Sequence, residues 1–159
     1  MDESEGYKLV EEDLLDEEGS VCDRISVLAN AGRDSFLAKM RSSKQERHNA
    51  LLISFASMRL MGTSKNIALA TKLLKPLSDS SGIYAFEMRP KPRVSTIRVM
   101  VYLPDDDTRH AVLLFAFKGH RGDKGRIPQE ELDKAKRLAG VAETLFRRRL
   151  HLSLCDKAH

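Results

Sequence analysis

Three short apolar runs, at residues 83–89, 95–102 and 111–118, are the feature that most limits how this chain can fold. Prolines lie in both of the breaks between them. Runs of this length, rich in β-branched and aromatic residues, are typical of β-strands, and the short connections favour an antiparallel meander. A sheet of this kind must bury its apolar side against another layer of the chain.

The segments on either side of the three runs show helical periodicity instead. Apolar residues three and four apart over residues 21–32 predict a helix, and residues 43–46 read as a capping box that opens a second one. The side of that second helix expected to face the core consists of Leu51, Leu52, Phe55 and Met58. Residues 66–77 predict a further short helix. Residues 128–150 predict a long helix, whose first residue is a proline and whose first turn is acidic.

The order of helices, three strands and a helix indicates an α+β fold. We expect N-terminal helices to pack on one face of a small antiparallel sheet and a C-terminal helix to follow it. A chain of 159 residues is usually one domain. We therefore expect an acidic, disordered tail at residues 1–20, a single domain at residues 21–150 and a short C-terminal tail at residues 151–159.

Charge is distributed unevenly along the chain. Residues 1–20 contain nine acidic side chains and one lysine, a net of −8, so residues 21–159 must carry +12 to give the overall +4. A body this basic indicates a polyanionic partner, although solvated lysines and arginines on an ordinary protein surface are the alternative. The acidic segment could also shield the basic surface of the same chain.

Several classes of protein do not fit the sequence. No stretch approaches the roughly 20 apolar residues of a membrane span, and the acidic N-terminal residues are unlike a secretory signal. Cys22 and Cys155 lie far apart and fit no metal-binding spacing. We therefore expect a reduced, cytoplasmic protein with no membrane association, no cofactor and no bound metal.

The alternation of side chains along the strands predicts one polar side of the sheet. Each strand has a fully apolar face, and the opposite faces collect Glu87, Arg89, Arg98, Tyr102 and Lys118. The loop that follows adds His120, Arg121, Lys124 and Arg126. Cations gathered around a Glu, a His and a Tyr are typical of a phosphodiester site. The alternative is an exposed sheet face with cross-strand pairs such as Glu87 with Arg98.

An ordered set of motifs resembles the phage-derived branch of the RelE/HigB toxins. The segments are Tyr84-Ala-Phe-Glu-Met-Arg89, Arg98-Val-Met-Val-Tyr102, Val112-Leu-Leu-Phe-Ala-Phe-Lys118 and Pro128-Gln-Glu-Glu-Leu-Asp-Lys-Ala135. In that family a strand ending Glu-Leu-Arg precedes an Arg-Val-x-Tyr strand. An apolar strand ending in Phe and lysines comes next, and then a helix that opens with Pro. The resemblance covers roughly residues 66–146.

The resemblance implies a compact, microbial-RNase-like domain that cleaves mRNA on the ribosome. It also implies a cognate antitoxin, a small helix-turn-helix protein, that holds the toxin inactive. Such cleavage is independent of metal, because the 2′-OH of the RNA is the nucleophile and the protein moves protons and stabilises the phosphorane. The catalytic residues implied are Arg89, Arg98 and Lys118, which would stabilise the charge on the scissile phosphate.

Other candidate residues have two interpretations each. A histidine side chain can gain or lose a proton near neutral pH, so His120 suits acid or base catalysis; the alternative is an ordinary surface histidine. Tyr102 stacks on a base, or it is a half-buried structural tyrosine. The residues expected to bind substrate are Glu87, Tyr102, Arg121, Lys124 and Arg126. The alternatives to an endoribonuclease are a non-catalytic RNA- or ribosome-binding module and a partner-binding protein on the same scaffold.

Overall fold

The computed structural model describes residues 3–12, 25–61, 69, 74–77, 82–88, 96–104, 110–119 and 127–157. The strands are β1 (Tyr7–Glu11), β2 (Ile25–Asn30), β3 (Lys75–Pro76), β4 (Ile83–Met88), β5 (Ile97–Tyr102) and β6 (Ala111–Lys118). The helices are α1 (Phe36–Ser42), α2 (Arg47–Met61) and α3 (Gln129–Lys157), and a 3₁₀ turn at Glu3–Gly6 precedes β1.

The strands form one mixed sheet in the order β1-β2-β6-β5-β4-β3. The pairs β4–β5 and β5–β6 are antiparallel, which confirms the predicted meander. On the other side of β6, strand β2 pairs in parallel, and β1 pairs antiparallel with β2. The fold is therefore α+β, as the order of elements predicted, but the sheet is larger than a three-stranded meander.

Helices cover the sheet on both sides. Core residues of α1 and α2, such as Leu37 and Ile53, pack with one set of strand residues, and we refer to this side as the α1/α2 face. Core residues of α3, such as Leu138 and Ala142, pack with the other set, and we refer to this side as the α3 face. The prediction that one face of the sheet is polar is therefore wrong, because α3 packs against that face.

A β-bulge interrupts the pairing of β5 with β6. Met100 lies opposite Phe115, and Val101 lies opposite Leu113, so Leu114 is an extra residue in β6. Two residues of a bulged strand then occupy the space of one, and the side chains beyond it change faces.

The bulge reverses the faces predicted for the end of β6. Phe117 packs with the residues of the α3 face, whereas Ala116 packs with those of the α1/α2 face. Since side chains alternate, Lys118 lies on the α1/α2 face. Arg98 is the cross-strand partner of Phe117 and lies on the α3 face. The prediction that Lys118 and Arg98 share a face is therefore wrong.

The predicted disordered tail at residues 1–20 is wrong for residues 3–12. This segment, which we name the N-terminal arm at residues 3–11, forms the 3₁₀ turn and the edge strand β1. Ser4 is buried, and the whole of β1 is in register with β2. The acidic composition of the arm concealed a strand, because its charges are balanced by arginines that lie distant in the sequence.

The predicted helix at residues 21–32 is wrong over β2. Residues 25–29 of this strand are all buried, because β2 lies between β1 and β6 with helices on both sides. A strand buried on both faces reads as a continuous apolar run, whose spacing also fits a helix. Gly32 does end the element, with a φ of 76° that favours glycine. Of the helix predicted at residues 66–77, Lys75 and Pro76 form β3 instead.

Helix α2 forms close to its predicted position but begins at Arg47, and the predicted capping box is wrong because Ser43 is the C-cap of α1. The helix also buries a different side from the one expected. Its buried residues are Ala50, Ile53, Ala56, Ser57 and Leu60. In contrast, Leu51 and Phe55 of the expected stripe are 51% and 52% exposed. Three of the five buried residues, Ala50, Ala56 and Ser57, are small, and the pattern of large apolar residues therefore misidentified the packed face.

Helix α3 begins directly after Pro128, as predicted, and its first two backbone hydrogen bonds are to the Pro128 carbonyl. It continues to Lys157, so the predicted C-terminal tail is wrong for residues 151–157. Among the described residues, no helix has the length and apolar character needed to cross a membrane.

The two sides of α2 predict different costs of truncation. Ile53→Ala removes a fully buried side chain, and we expect it to lower the free energy of unfolding by about 2–5 kcal/mol. Leu51→Ala on the same helix should cost no more than about 1 kcal/mol, because Leu51 is half exposed. Urea unfolding of both variants measures the difference. Equal costs would show that α2 does not pack as described.

Candidate functional site

Four of the predicted site residues lie in the described part of the chain, namely Glu87, Arg98, Tyr102 and Lys118. The other five, Arg89, His120, Arg121, Lys124 and Arg126, lie outside the described residues, and the predictions made for them stay predictions.

Arg98 is buried inside the fold. Its exposure is 4%, and its Cα is in register with that of Glu87 on β4. The guanidinium packs over the backbone of Gly119, where a Cβ would lie 3.3 Å from Nη1. The Gly119 amide in turn donates to the Thr96 carbonyl at 2.7 Å. Arg98 therefore supports the end of β6 and does not present its charge to a ligand.

Glu87 and Tyr102 also contact other parts of the fold. Glu87 forms an ion pair with Lys75 of β3, and its Cα lies opposite that of Arg98 on β5. The exposed sheet face of the alternative interpretation is not what the structure shows, because Arg98 is buried. Tyr102 is half-buried and packs with the residues of the α3 face. Its ring lies near Gly82, which has a φ of 80° and where a Cβ would approach the ring to 3.2 Å.

Lys118 has a different environment from the other three. Its ammonium Nζ donates to Glu46 Oε1 at 2.9 Å, and Glu46 lies just before α2. The side chain of Asn49 donates to the second oxygen, Oε2, at 2.8 Å. Lys118 is 59% exposed and Glu46 is 29% exposed, so both remain accessible from solvent. Of the two described residues that we expected to be catalytic, Lys118 is the exposed one.

Lys118 and Glu46 line a cleft between α1 and the ends of β5 and β6. The cleft has a volume of about 410 Å³, within the roughly 300–1,000 Å³ typical of ligand sites. The residues that line it are Phe36, Met40, Glu46, Ile97, Ala116, Phe117 and Lys118. It combines apolar walls with one carboxylate and one ammonium, and we refer to it as the Lys118 cleft.

The electrostatics of the cleft favour an ionised carboxylate. Hydrogen bonds from Asn49, and then from Lys118, hold the pKa of Glu46 below its ordinary value, and partial burial opposes them. The Lys118–Glu46 ion pair itself is exposed to water, and such pairs contribute roughly 0–1 kcal/mol to stability. A ligand can therefore separate the two side chains at little cost.

Sequence reasoning identified Lys118 but not the residues around it. Glu46 belongs to the predicted capping box. It lies 72 residues before Lys118, so the sequence does not reveal that the two side chains pair. Phe36 and Met40 resemble ordinary core residues of a short helix. Only the bulge in β6 brings Lys118 to them.

Acidic residues of the N-terminal arm pair with a second set of basic residues, on α3. Arg137 forms an ion pair with Glu3 at 2.6 Å, and Arg149 forms one with Glu11 at 3.4 Å. The hydrogen bond to Glu3, and then that to Tyr7, raise the pKa of Arg137 above its ordinary value. These contacts support the suggestion that the acidic segment shields basic residues of its own chain.

A buried serine and histidine pair lies beneath the arm. Ser26 Oγ is 2.8 Å from His110 Nε2, and Arg149 donates to the same oxygen at 3.2 Å. Ser26 has no exposed surface and His110 is 5% exposed, so no substrate reaches the hydroxyl. We therefore assign the pair to the packing of β2 on β6. Within the described residues, no cluster of three or more His, Cys, Asp or Glu side chains could hold a metal.

Comparisons with known proteins add no identification. The sequence matches no protein-family profile, no curated protein and no solved structure.

The contacts of Glu46 predict a change in its titration. Lys118→Met removes the ammonium, and we expect the pKa of Glu46 to rise toward its ordinary value of 4.5. The stabilisation that depends on this carboxylate is present above that value and is lost as the pH falls through the lower, folded-state pKa. A carbon-detected NMR titration of the glutamate carboxyls measures the shift. Lys136→Met on α3 is the control and should leave the pKa of Glu46 unchanged.

Proposed function

We propose that the chain is a toxin of the RelE/HigB type, a ribosome-dependent mRNA endoribonuclease that a cognate antitoxin holds inactive. The observation that carries the proposal is the order of the elements. Two helices precede an antiparallel meander, the motifs of the resemblance fall on β4, β5 and β6, and a helix opens after Pro128. The net charge of residues 21–159 supports a polyanionic substrate.

In this proposal Lys118 is the described residue that contacts the scissile phosphate. Its ammonium is exposed at the end of β6, and Glu46 is a partner that it can leave at little cost. A fixed cation next to the phosphate stabilises the charge that develops as the 2′-OH attacks. Arg98 is reassigned from a catalytic to a positioning residue, because its buried guanidinium supports Gly119, the residue after Lys118. Acid or base catalysis stays assigned to His120.

A non-catalytic RNA- or ribosome-binding module is the second candidate. The observation that favours it is the separation of Arg98 from Lys118 onto opposite faces of the sheet. A phosphorane needs several donors around one group, whereas binding to RNA needs only exposed cations near the backbone.

Growth on induction tests the first candidate. Expression in a bacterium should arrest growth and cleave translated mRNA, and Lys118→Ala should reduce cleavage by about 10²–10³, the usual cost of removing one charge-stabilising donor. Lys136→Ala, an exposed lysine on α3, is the matched control and should arrest growth as fully as the unchanged chain. Normal growth at high soluble expression would contradict the enzymatic proposal.

Salt dependence tests the second candidate. Binding to single-stranded RNA should weaken as salt rises, and Lys118→Ala should reduce the slope of log K against log salt by about 0.7, the value for one phosphate contact. Fluorescence anisotropy of a labelled oligonucleotide gives both slopes. RNA binding with an unchanged slope would remove Lys118 from the interface.

A further inference from the structure

The Lys118 cleft has the composition of a site for a flat ring. Phe36 and Met40 from α1 and Ile97 and Ala116 from the sheet supply apolar walls. Aromatic rings and thioethers pack well on the face of a nucleobase, which is how proteins hold unpaired bases. A few polar groups at the edge of an apolar cavity usually fix the orientation of the ligand.

The polar groups of the cleft limit what can enter. Each carboxylate oxygen of Glu46 accepts one hydrogen bond and can accept a second, so Glu46 offers a ligand acceptors only. Lys118 offers donors and a positive charge. The two are paired with each other. A ligand that brings N–H donors to Glu46 and an anion to Lys118 gives each a new partner, and a nucleotide carries both.

We propose that the Lys118 cleft binds one unpaired nucleobase of RNA, with a preference for guanine, and holds the adjoining phosphate at Lys118. Guanine presents two N–H donors side by side on its Watson–Crick edge, which match the two oxygens of a carboxylate. Uracil presents one N–H between two carbonyl oxygens, which a carboxylate repels. The inference rests on the proposed function for its substrate class and adds the base that the site selects.

Binding of mononucleotides to the intact chain tests this inference. GMP should bind about tenfold or more tightly than UMP by calorimetry, since the difference corresponds to about one charged hydrogen bond. In NMR spectra, GMP should shift the methyl signals of Met40 and Ala116, which line the cleft.

Two substitutions test whether the preference for GMP arises in the cleft or elsewhere on the surface. Glu46→Gln removes the charge but keeps the shape, and the ratio of GMP to UMP affinity should fall to about threefold or less. Glu143→Gln is the matched control, because Glu143 is a partly exposed carboxylate paired with Arg147 on α3. It should keep the full preference. A folded Glu46→Gln variant with an unchanged preference would overturn the inference.

The remaining outcomes distinguish this inference from the proposed function. Equal affinity for GMP and UMP, no binding of either, or GMP shifts confined to α3 would overturn the base site, even if the protein cleaves mRNA. Selective GMP binding in the cleft without growth arrest would support the base site and contradict the proposed endoribonuclease.

Discussion

One extra residue in β6 determines on which face of the sheet each of the following side chains of that strand lies. Leu114 has no opposite residue on β5, so the side chains that follow it change sides. Phe115 and Phe117 thereby pack under α3, and Lys118 points toward α1 and α2. Without the bulge, strict alternation would place Lys118 beside Arg98 beneath α3, and the cleft would lose its ammonium. The candidate site depends on this local change of register.

Within the described residues, the basic side chains considered above lie on two surfaces that have different partners. On α3, Arg137 and Arg149 are paired with acidic residues of the N-terminal arm, which is itself a strand of the sheet. At the cleft, the partner of Lys118 is a single half-buried glutamate, Glu46. Exposed pairs are weak and are screened by salt, so the Lys118–Glu46 pair can exchange partners. Arg149, in contrast, also donates to the Ser26 hydroxyl and to the Leu9 carbonyl in partly buried contacts. The cleft also has apolar walls, which are typical of ligand sites.

Much of the architecture was predictable from local patterns. The strands of the meander and helix α3 have the composition, length and terminal residues of their elements, and they formed where expected. The site was predictable only in part, because Lys118 follows an apolar strand and carries an obvious charge. The α+β class followed from the order of these elements.

The remaining features depend on contacts that are distant in sequence. Strand β2 is buried on both sides, which removes the alternation that identifies strands. The acidic residues of the arm pair with arginines more than 130 residues away, so the local sequence does not reveal that their charges are balanced. The bulge at Leu114 lies in a uniformly apolar run, so the sequence of β6 does not indicate where the bulge occurs. Glu46 meets Lys118 only after α2 has packed on the sheet.

Mapping a short single-stranded RNA on the isotope-labelled protein by NMR tests most directly the claim that the bulge builds an RNA site on the α1/α2 face. We predict that the signals of Met40, Glu46, Ala116 and Lys118 shift with RNA concentration. We predict that those of Met100 and Leu138 on the α3 face do not. Shifts confined to the α3 face, or to the arginines beneath the N-terminal arm, would contradict the account.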